Sequence, residues 1–427
     1  MLGSGGREHA IVWKLRQCHG VEKVFCAPGN GGIAREVPCY PASPTDSSRV
    51  AQLVSELQTD LIFVGPEAPL VTGLVDKLAR QGHLAVGPTR EAARLEGSKI
   101  FAKHFMQRHK IPTADFVACG DMATAMANIE RWGGPVAIKA DGLAAGKGVV
   151  VASDRAEAEQ ALDSILSGKL VGEAGKKIVL EQVLAGEEVS FLVLTDGKNA
   201  LPLVPTQDHK RVFDDDRGPN TGGMGAYSDD RMVSAALHRR IMDEIVFPTI
   251  EGLRAEGMVY RGILYCGLMI TSDGPKVIEY NVRFGDPETQ ALLVRLETNL
   301  AELASEVARG DLRAGPLEWT PGASACVVAC SEGYPGDYPT GRAISGLEEA
   351  TAAGARIFHA GTAAARSAAN DGRVVTSGGR VLGITAAGSD LASATRTVYE
   401  AASKIHFEGV HYRRDIARKG LLRLRPL

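Results

Sequence analysis

The residues with the most specific chemistry lie in Lys276-Val-Ile-Glu279-Tyr-Asn281-Val-Arg283-Phe-Gly-Asp286-Pro-Glu288. A strand alternates its side chains, so Glu279, Asn281 and Arg283 share one face. Two oxygen donors and a guanidinium suit a magnesium nucleotide. Mg2+ takes carboxylate and amide oxygens together with phosphates, and Arg forks onto a phosphoryl group. The competing reading is a surface ion pair between Glu279 and Arg283. A second candidate is Lys139-Ala-Asp-Gly-Leu-Ala-Ala-Gly146-Lys147-Gly148, set between apolar runs at 136–138 and 149–151. Those runs read as strands, which makes the glycine-rich piece a hairpin tip. It is not a P-loop, because Gly142 and Gly146 are too close together and Gly148, not Ser or Thr, follows Lys147. What remains is a flap whose bare amides, flanked by Lys139 and Lys147, can close over polyphosphate oxygens. An exposed turn with solvated lysines fits the same residues.

Two further stretches carry polar groups at unusual density. Residues 201–230 contain Gln207-Asp-His-Lys-Arg211, Asp214-Asp-Asp216 and Gly218-Pro-Asn-Thr-Gly-Gly-Met-Gly225. This predicts a long irregular segment, which inside a compact domain is usually functional. Solvated loop charges are the alternative for its acids and bases. The strand expected over 177–181, running on through 182–184 into Gly186-Glu-Glu188, is suited to a hinge. Backbone groups there can meet a base edge, and a carboxylate can take ribose hydroxyls.

The elements that must position these groups follow from hydrophobic periodicity. Strands are expected at 24–27, 61–64 and 84–86, with helical faces at Val50, Leu53, Val54 and Leu57, and at Val71, Leu74, Val75 and Leu78. This is βαβ patterning, hence a small parallel sheet with ligands at the carboxyl ends of its strands. Gly3-Ser-Gly-Gly-Arg-Glu8, Pro28-Gly-Asn30 and Gly65-Pro-Glu67 all fall there. Glu8 stands where a dinucleotide fingerprint has its third glycine, so the loop reads as a phosphate or sugar loop at a helix N-terminus. Taken singly, each of the three loops is also consistent with a plain tight turn. Only Met1 and Leu2 precede Gly3, which is short for the strand this loop should follow, so a longer natural N-terminus is expected.

A helix bearing Lys99, Lys103 and Lys110 should stop at Ile111-Pro112-Thr113. Another should start at Asp154, capped with Glu157, with Ala158, Ala161, Leu162, Ile165 and Leu166 facing inward. Strands at 262–270 and 276–281 should turn at Asp273-Gly274. Further strands are expected at 325–329, 356–359 and 381–385, with a helix over about 390–405 and a loop within 350–369. The basic end, Arg413, Arg414, Arg418, Lys419 and Arg425, reads as solvated surface.

Composition narrows the partners. A chain of 427 residues holds two to four domains, and a formal net charge of −3 gives no general attraction to nucleic acid or anionic membrane. Small-molecule substrates are therefore expected. No apolar run reaches bilayer length and no signal-peptide pattern opens the chain, so a cytoplasmic location is expected. Seven scattered cysteines without a Cys-x-x-Cys pair argue against a disulfide framework or structural zinc; Cys326 and Cys330 read as core residues.

Seven motifs in one order carry a closer resemblance. They are Gly3-Ser-Gly-Gly-Arg-Glu-His9, Gly65-Pro-Glu-Ala-Pro-Leu70, Leu95-Glu-Gly-Ser-Lys99, the stretch from Lys139 to Gly148, Gln207-Asp-His-Lys-Arg211, Gly218-Pro-Asn-Thr-Gly-Gly-Met-Gly-Ala-Tyr227, and Arg283-Phe-Gly-Asp-Pro-Glu-Thr289. Over nearly the whole chain they resemble the phosphoribosylamine–glycine ligase family, the glycinamide ribonucleotide synthetases of the ATP-grasp superfamily. The resemblance implies an α/β protein. A doubly wound parallel-sheet substrate domain would occupy 1–98. A two-lobed ATP-grasp core would occupy 99–322, its flap-bearing lobe over about 114–188, and an α+β domain 323–427. It implies that ATP, glycine and 5-phosphoribosylamine give glycinamide ribonucleotide, ADP and phosphate in purine synthesis. Cofactors would be ATP and Mg2+ or Mn2+, and the chain would be a monomer or weak dimer.

Carried over by position, Glu279 and Asn281 resemble the metal ligands. Lys99 and Lys139 resemble phosphate contacts, with Lys103 competing for the first place. Gly142, Gly146, Lys147 and Gly148 belong to the flap, Glu181 and Val183 resemble the backbone partners of adenine, and Glu188 the ribose carboxylate. The strand Leu264-Tyr-Cys-Gly-Leu268 offers no further acidic ligand. Lys139 and Arg283 would act catalytically, offsetting repulsion between glycine's carboxylate and the γ-phosphate. Asp208, Lys210, Arg211, Gly222, Gly223 and Gly225 would hold glycine. Gly5, Gly6, Arg7, Gly65, Pro66 and Glu67 would hold the phosphoribosyl half. Two other readings stay open. A different ATP-grasp ligase or biotin carboxylase relative would be separated by its product, and a non-catalytic nucleotide-binding protein by failure to release ADP.

Overall fold

The computed structural model describes residues 1–143, 148–168, 176–365, 373–423 and 426–427. Gly146, Lys147 and Arg425 lie outside the described residues, as do residues 366–369 of the expected alanine-rich loop.

The N-terminal region is a parallel sheet, as the βαβ pattern predicts. Leu2–Gly3 pairs with Ala27–Pro28, Leu2 also bridges Val64, and Ile62–Phe63 pairs with Ala85–Val86. The ladders are only two residues long, shorter than the apolar runs that mark them. Helices Gly6–Leu15, Ser47–Glu56 and Leu74–Arg80 surround them, and Val50, Leu53, Val54, Leu74, Val75 and Leu78 are buried as expected.

A four-stranded antiparallel sheet forms the small lobe, in the order Phe116–Cys119, Ile178–Gln182, Val136–Ala140, Val149–Ala152. Two helices, Met122–Trp132 and Arg155–Leu166, pack on it. Asp154 caps the second by accepting from the Glu157 N–H, and its Ala158, Ala161, Leu162 and Ile165 are buried with Ile138 and Leu180. Leu166 packs at the margin of that core.

The large sheet runs in the order Gly274–Asn281, Gly262–Thr271, Glu187–Thr195, Thr206–Asp208, Gly225–Asp229, Ala323–Cys330, Arg380–Gly388, Arg356–His359. Ala200–Pro202 adds to Glu187–Thr195. Ladder bonds between Gly225–Asp229 and Ala323–Cys330 make the C-terminal strands a continuation of the core sheet. Cys326 and Cys330 are buried in it. The expected helix over 390–405 is Leu391–Ala402, capped by Asp390. The stretch 350–369, expected to include a loop, also contains the end of helix Leu347–Ala352 and strands Arg356–His359 and Thr362–Ala364.

Three expectations are corrected. Residues 201–230, read as irregular, are built from short strands, including the hairpin of Arg211–Phe213 with Arg217–Asn220. The strand ending at Gln182 does not run on to Leu184; a new one starts at Glu187, and the break is the interlobe connection. The basic end is not simply solvated. Arg413 is 1% exposed and pairs with Asp216 at 2.9 Å and Asp415 at 2.7 Å, while Lys419 meets Asp216 at 2.6 Å. The Asp214 to Asp216 run thus locks the hairpin to the C-terminal segment, because a guanidinium that deep needs carboxylate partners.

Candidate active site

Helix Lys99–Arg108, strand Val136–Ala140 and strand Ile178–Gln182 bring two lysines onto one carboxylate. Lys103 and Lys139 each stand 2.8 Å from Glu181, which is 3% exposed. Lys103 also donates to the Thr113 hydroxyl at 2.6 Å, and Lys139 to the Ile278 carbonyl at 3.1 Å. That carbonyl sits where the ladder between Gly262–Thr271 and Gly274–Asn281 shifts register. Burial pushes the Lys103 ammonium down to about 8 against the pull of Glu181. Lys99 donates to the Gly142 carbonyl at 3.0 Å, at the foot of the flap. Asp141 accepts from the Ser98 hydroxyl at 2.9 Å and the Ile100 N–H at 3.1 Å, so the flap's first residues cap the helix that carries Lys99 and Lys103.

Across the cleft, Glu279 occupies the strand position facing Gly267. A Cβ there would meet the Glu279 Cγ at 3.2 Å, so the glycine leaves room for the carboxylate. Burial raises the Glu279 pKa, but Lys210, Lys139 and Lys99 outweigh it and hold the carboxylate below its ordinary value. Lys210 lies 3.1 Å from Glu188 and 3.9 Å from Glu279, and Glu188 above all raises its pKa. The candidate ribose carboxylate and candidate metal carboxylate are therefore neighbours.

Arg283 does not pair with Glu279, which removes the surface ion-pair reading. Its guanidinium meets Glu96 at 2.9 Å and Glu67 at 3.4 Å, and donates to the Asn281 amide oxygen at 3.0 Å. Glu96 in turn accepts from the Val282 N–H at 2.7 Å. Among the described residues no cluster of three or more His, Cys, Asp or Glu is assembled as a metal cage. An ionised Glu279 with an amide oxygen two residues on fits a cation that takes its other ligands from phosphates and water.

The glycine-candidate loop is split. Asp208 is half-buried near Glu288, and desolvation followed by that negative neighbour raises its pKa well above the usual carboxylate range. Glu288 accepts from the Tyr265 hydroxyl at 2.5 Å and the Ser190 hydroxyl at 3.3 Å. Gly223 stands against Asp208, where a Cβ would come within 2.9 Å of its oxygen. Arg211 turns away to donate to the Gly218 carbonyl at 2.7 Å, and Gly225 packs in the sheet.

At the N-terminal loops, Glu8 explains the missing third glycine. Its carboxylate accepts from the Gly5 N–H at 2.6 Å and from Arg7 at 2.7 Å, filling the space over Gly3, Gly5 and Gly65. Arg7 also donates to the Phe284 carbonyl at 2.8 Å, tying this loop to the segment that follows strand Gly274–Asn281 and carries Arg283. Gly5, Ser4, Gly29 and Asn30 border a cavity of about 420 Å3 that Asp286, Tyr334 and Arg380 close from the other side. Pro66 and Glu67 open helix Glu67–Val71, which places Glu67 on Arg283 instead of beside Gly5. Val183 is 42% exposed at the interlobe connection.

Sequence reasoning missed Glu96, Glu288 and Arg380 as site residues. The first two lay inside motifs already singled out. Arg380 had no local signal, being 94 residues from Asp286.

With this geometry in view, comparison with known proteins decides the family. The descriptions "Phosphoribosylglycinamide synthetase" N domain, ATP-grasp (A) domain and C domain match residues 1–96, 97–289 and 324–419. The chain belongs to the phosphoribosylamine–glycine ligase family. The Pseudomonas aeruginosa phosphoribosylamine–glycine ligase is 49% identical over 428 residues, covering 100% of this chain and 98% of that protein. The Escherichia coli K12 member is 47% identical over 426 residues, covering 99% and 98%. The crystal structure of the Thermotoga maritima member has a TM-score of 0.85 at 36% identity, covering 97% of this chain and 99% of that one. Biotin carboxylase from Campylobacter jejuni shares the fold, with a TM-score of 0.72 at 16% identity, covering 96% and 92%. The ATP-grasp architecture and the ligase class read from the motifs both stand. Among the described residues no helix is long and apolar enough to cross a membrane.

Proposed function

We propose that this chain joins glycine to 5-phosphoribosylamine at the expense of ATP, through glycyl phosphate, in the cleft between the small lobe and the large sheet. The observation that carries this reading is the convergence of Lys99, Lys139 and Lys210 on Glu279, with Lys210 3.9 Å from it. ATP would lie between the lobes, its adenine on the backbone at Glu181 and Val183 and its ribose at Glu188. Magnesium, or manganese in its place, would be held by Glu279 and Asn281 and would neutralise polyphosphate charge.

Glycine's carboxylate must approach a phosphoryl group of the same sign. Lys139 and Arg283 offset that repulsion, and their fixed partners Glu181 and Glu96 keep them oriented without reorganisation. Asp208 faces glycine's ammonium, and the turn at Gly222 and Gly223, whose N–H groups are held by the Tyr334 and Thr221 hydroxyls, borders the carboxylate end of that subsite. The amine of phosphoribosylamine then attacks the acyl carbon from the cavity side, where Gly5, Gly6 and Arg7 approach Asp286. An acyl phosphate is lost to water in an open site, which gives the flap from Gly142 to Gly148 its purpose. We further propose that the protein works in the cytoplasm, as a monomer or weak dimer.

The test is ADP release with magnesium and glycine, with and without freshly made 5-phosphoribosylamine, and mass identification of the product. Release that depends on both substrates and yields glycinamide ribonucleotide supports the reading. Release with glycine and a different amine acceptor refutes it.

A further inference from the structure

One side chain of the C-terminal region, Arg380 at the start of strand Arg380–Gly388, reaches both the glycine-candidate loop and the segment at Asp286. Its Nη1 donates to the Gly222 carbonyl at 2.6 Å and to the Asp286 carbonyl at 2.6 Å, with the Gly223 carbonyl at 3.5 Å. Nη2 faces the Asp286 carboxylate at 3.3 Å. Gly222 is held from its other side as well, because its N–H donates to the Tyr334 hydroxyl at 3.0 Å. A Cβ at Gly222 would meet the Arg380 Cζ at 3.1 Å, so the loop lies directly on the guanidinium. Asp286, Tyr334 and Arg380 also line the cavity that opens onto Ser4, Gly5 and Asn30.

A guanidinium presents five N–H donors in a rigid plane, so it can fix several acceptors at set distances where an ammonium cannot. Here the acceptors belong to the glycine-candidate loop and to the segment after the metal-candidate strand, while the same plane borders the phosphoribosyl cavity. We infer that Arg380 is a positioning residue that sets the spacing between the glycine subsite and the phosphoribosylamine cavity, so that glycyl phosphate forms within reach of the attacking amine. The inference rests on the activity proposed above. Its chemical consequence is coupling: with the spacing loosened, the acyl phosphate meets water before the amine, and ATP is consumed without product.

The experiment compares wild type with Arg380→Lys, Arg380→Ala and Tyr334→Phe in the full chain, measuring ADP and glycinamide ribonucleotide in the same reaction. Arg380→Lys is expected to bind ATP within about twofold of wild type and to raise the KM for glycine by roughly tenfold or more, the scale of a lost charge-assisted hydrogen bond. It is also expected to release ADP in clear excess over product. Added guanidine should restore coupling to Arg380→Ala, which a merely structural defect would not allow. Tyr334→Phe removes only the acceptor of the Gly222 N–H and should raise the glycine KM by a few-fold. One ADP per product with unchanged KM values in Arg380→Lys overturns the inference. So does a fall in kcat alone, at one-to-one coupling, in both Arg380→Lys and Tyr334→Phe. A wild-type chain that makes no glycinamide ribonucleotide strikes the proposed activity first, and this inference with it.

Discussion

The Lys139 ammonium stands 2.8 Å from one oxygen of Glu181, while Lys103 stands 2.8 Å from the other. All three side chains are almost fully buried, so one negative charge serves two cations in a dry pocket. That arrangement leaves net positive charge at the floor of the nucleotide cleft, where a polyphosphate supplies the missing anion. A buried charge without enough counter-charge is costly until its ligand arrives.

Lys103 gives this a pH signature. Its pKa falls from 10.5 to about 8 on folding. Between those values the unfolded chain keeps the proton that the native protein has released, so stability contributed by this group rises with pH across that window. Denaturant titrations at pH 7.5 and 9.5 should show wild type gaining about 1–2 kcal/mol relative to Lys103→Met. Equal changes in both proteins would remove Lys103 as the titrating group.

Glu279→Gln replaces the one carboxylate of the candidate metal site with a neutral amide. Turnover should fall by about a hundredfold or more at saturating magnesium, as expected when a charge-stabilising group is lost, with the melting temperature little changed. Wild-type turnover in this variant would take Glu279 out of the metal role.

Burial first, and Glu288 after it, raise the Asp208 pKa well above the usual carboxylate range. If it receives glycine's ammonium it must ionise, so glycine affinity should rise over the pH range in which the group ionises and flatten once it is charged. In Asp208→Asn the glycine KM should be high and insensitive to pH over that range. A parallel pH trend in both proteins would assign the ammonium to another partner.

Gly186 lies in the interlobe connection, and a Cβ there would come within 2.1 Å of the Ile270 carbonyl oxygen. Neither atom is the end of a flexible side chain, so Gly186→Ala must displace backbone, at about 1–3 kcal/mol. Because Glu188 follows two residues later, the displacement should also weaken ATP. Thermal shift with and without ATP and magnesium checks both effects; an unchanged ATP-induced shift would separate the hinge from nucleotide binding.

The parts of the site that were legible in the sequence share a physical reason. Strand alternation placed Glu279 and Asn281 on one face before any contact was known, and the apolar runs on either side of the flap marked the two strands that pair there. The basic C-terminal segment was misread because charge counting treats exposed and buried cations alike. Arg413 is buried with Asp216, 197 residues away, joining the neighbouring Asp415 as its partner. Arg380 was invisible for the same reason, since its partners come from two distant loops that no local pattern links. The N-terminal strands were overestimated in length because apolar runs mark burial, whereas ladder bonds extend over only two residues of each.

The central claim is that glycine is activated as an acyl phosphate in this cleft. Glycine labelled with 18O in its carboxylate tests it directly, with the inorganic phosphate from a single turnover analysed by mass spectrometry. Transfer of one labelled oxygen to phosphate is the predicted result, because the carboxylate oxygen that attacks the γ-phosphate leaves with it when the amine displaces it. Unlabelled phosphate alongside labelled glycinamide ribonucleotide would contradict the account.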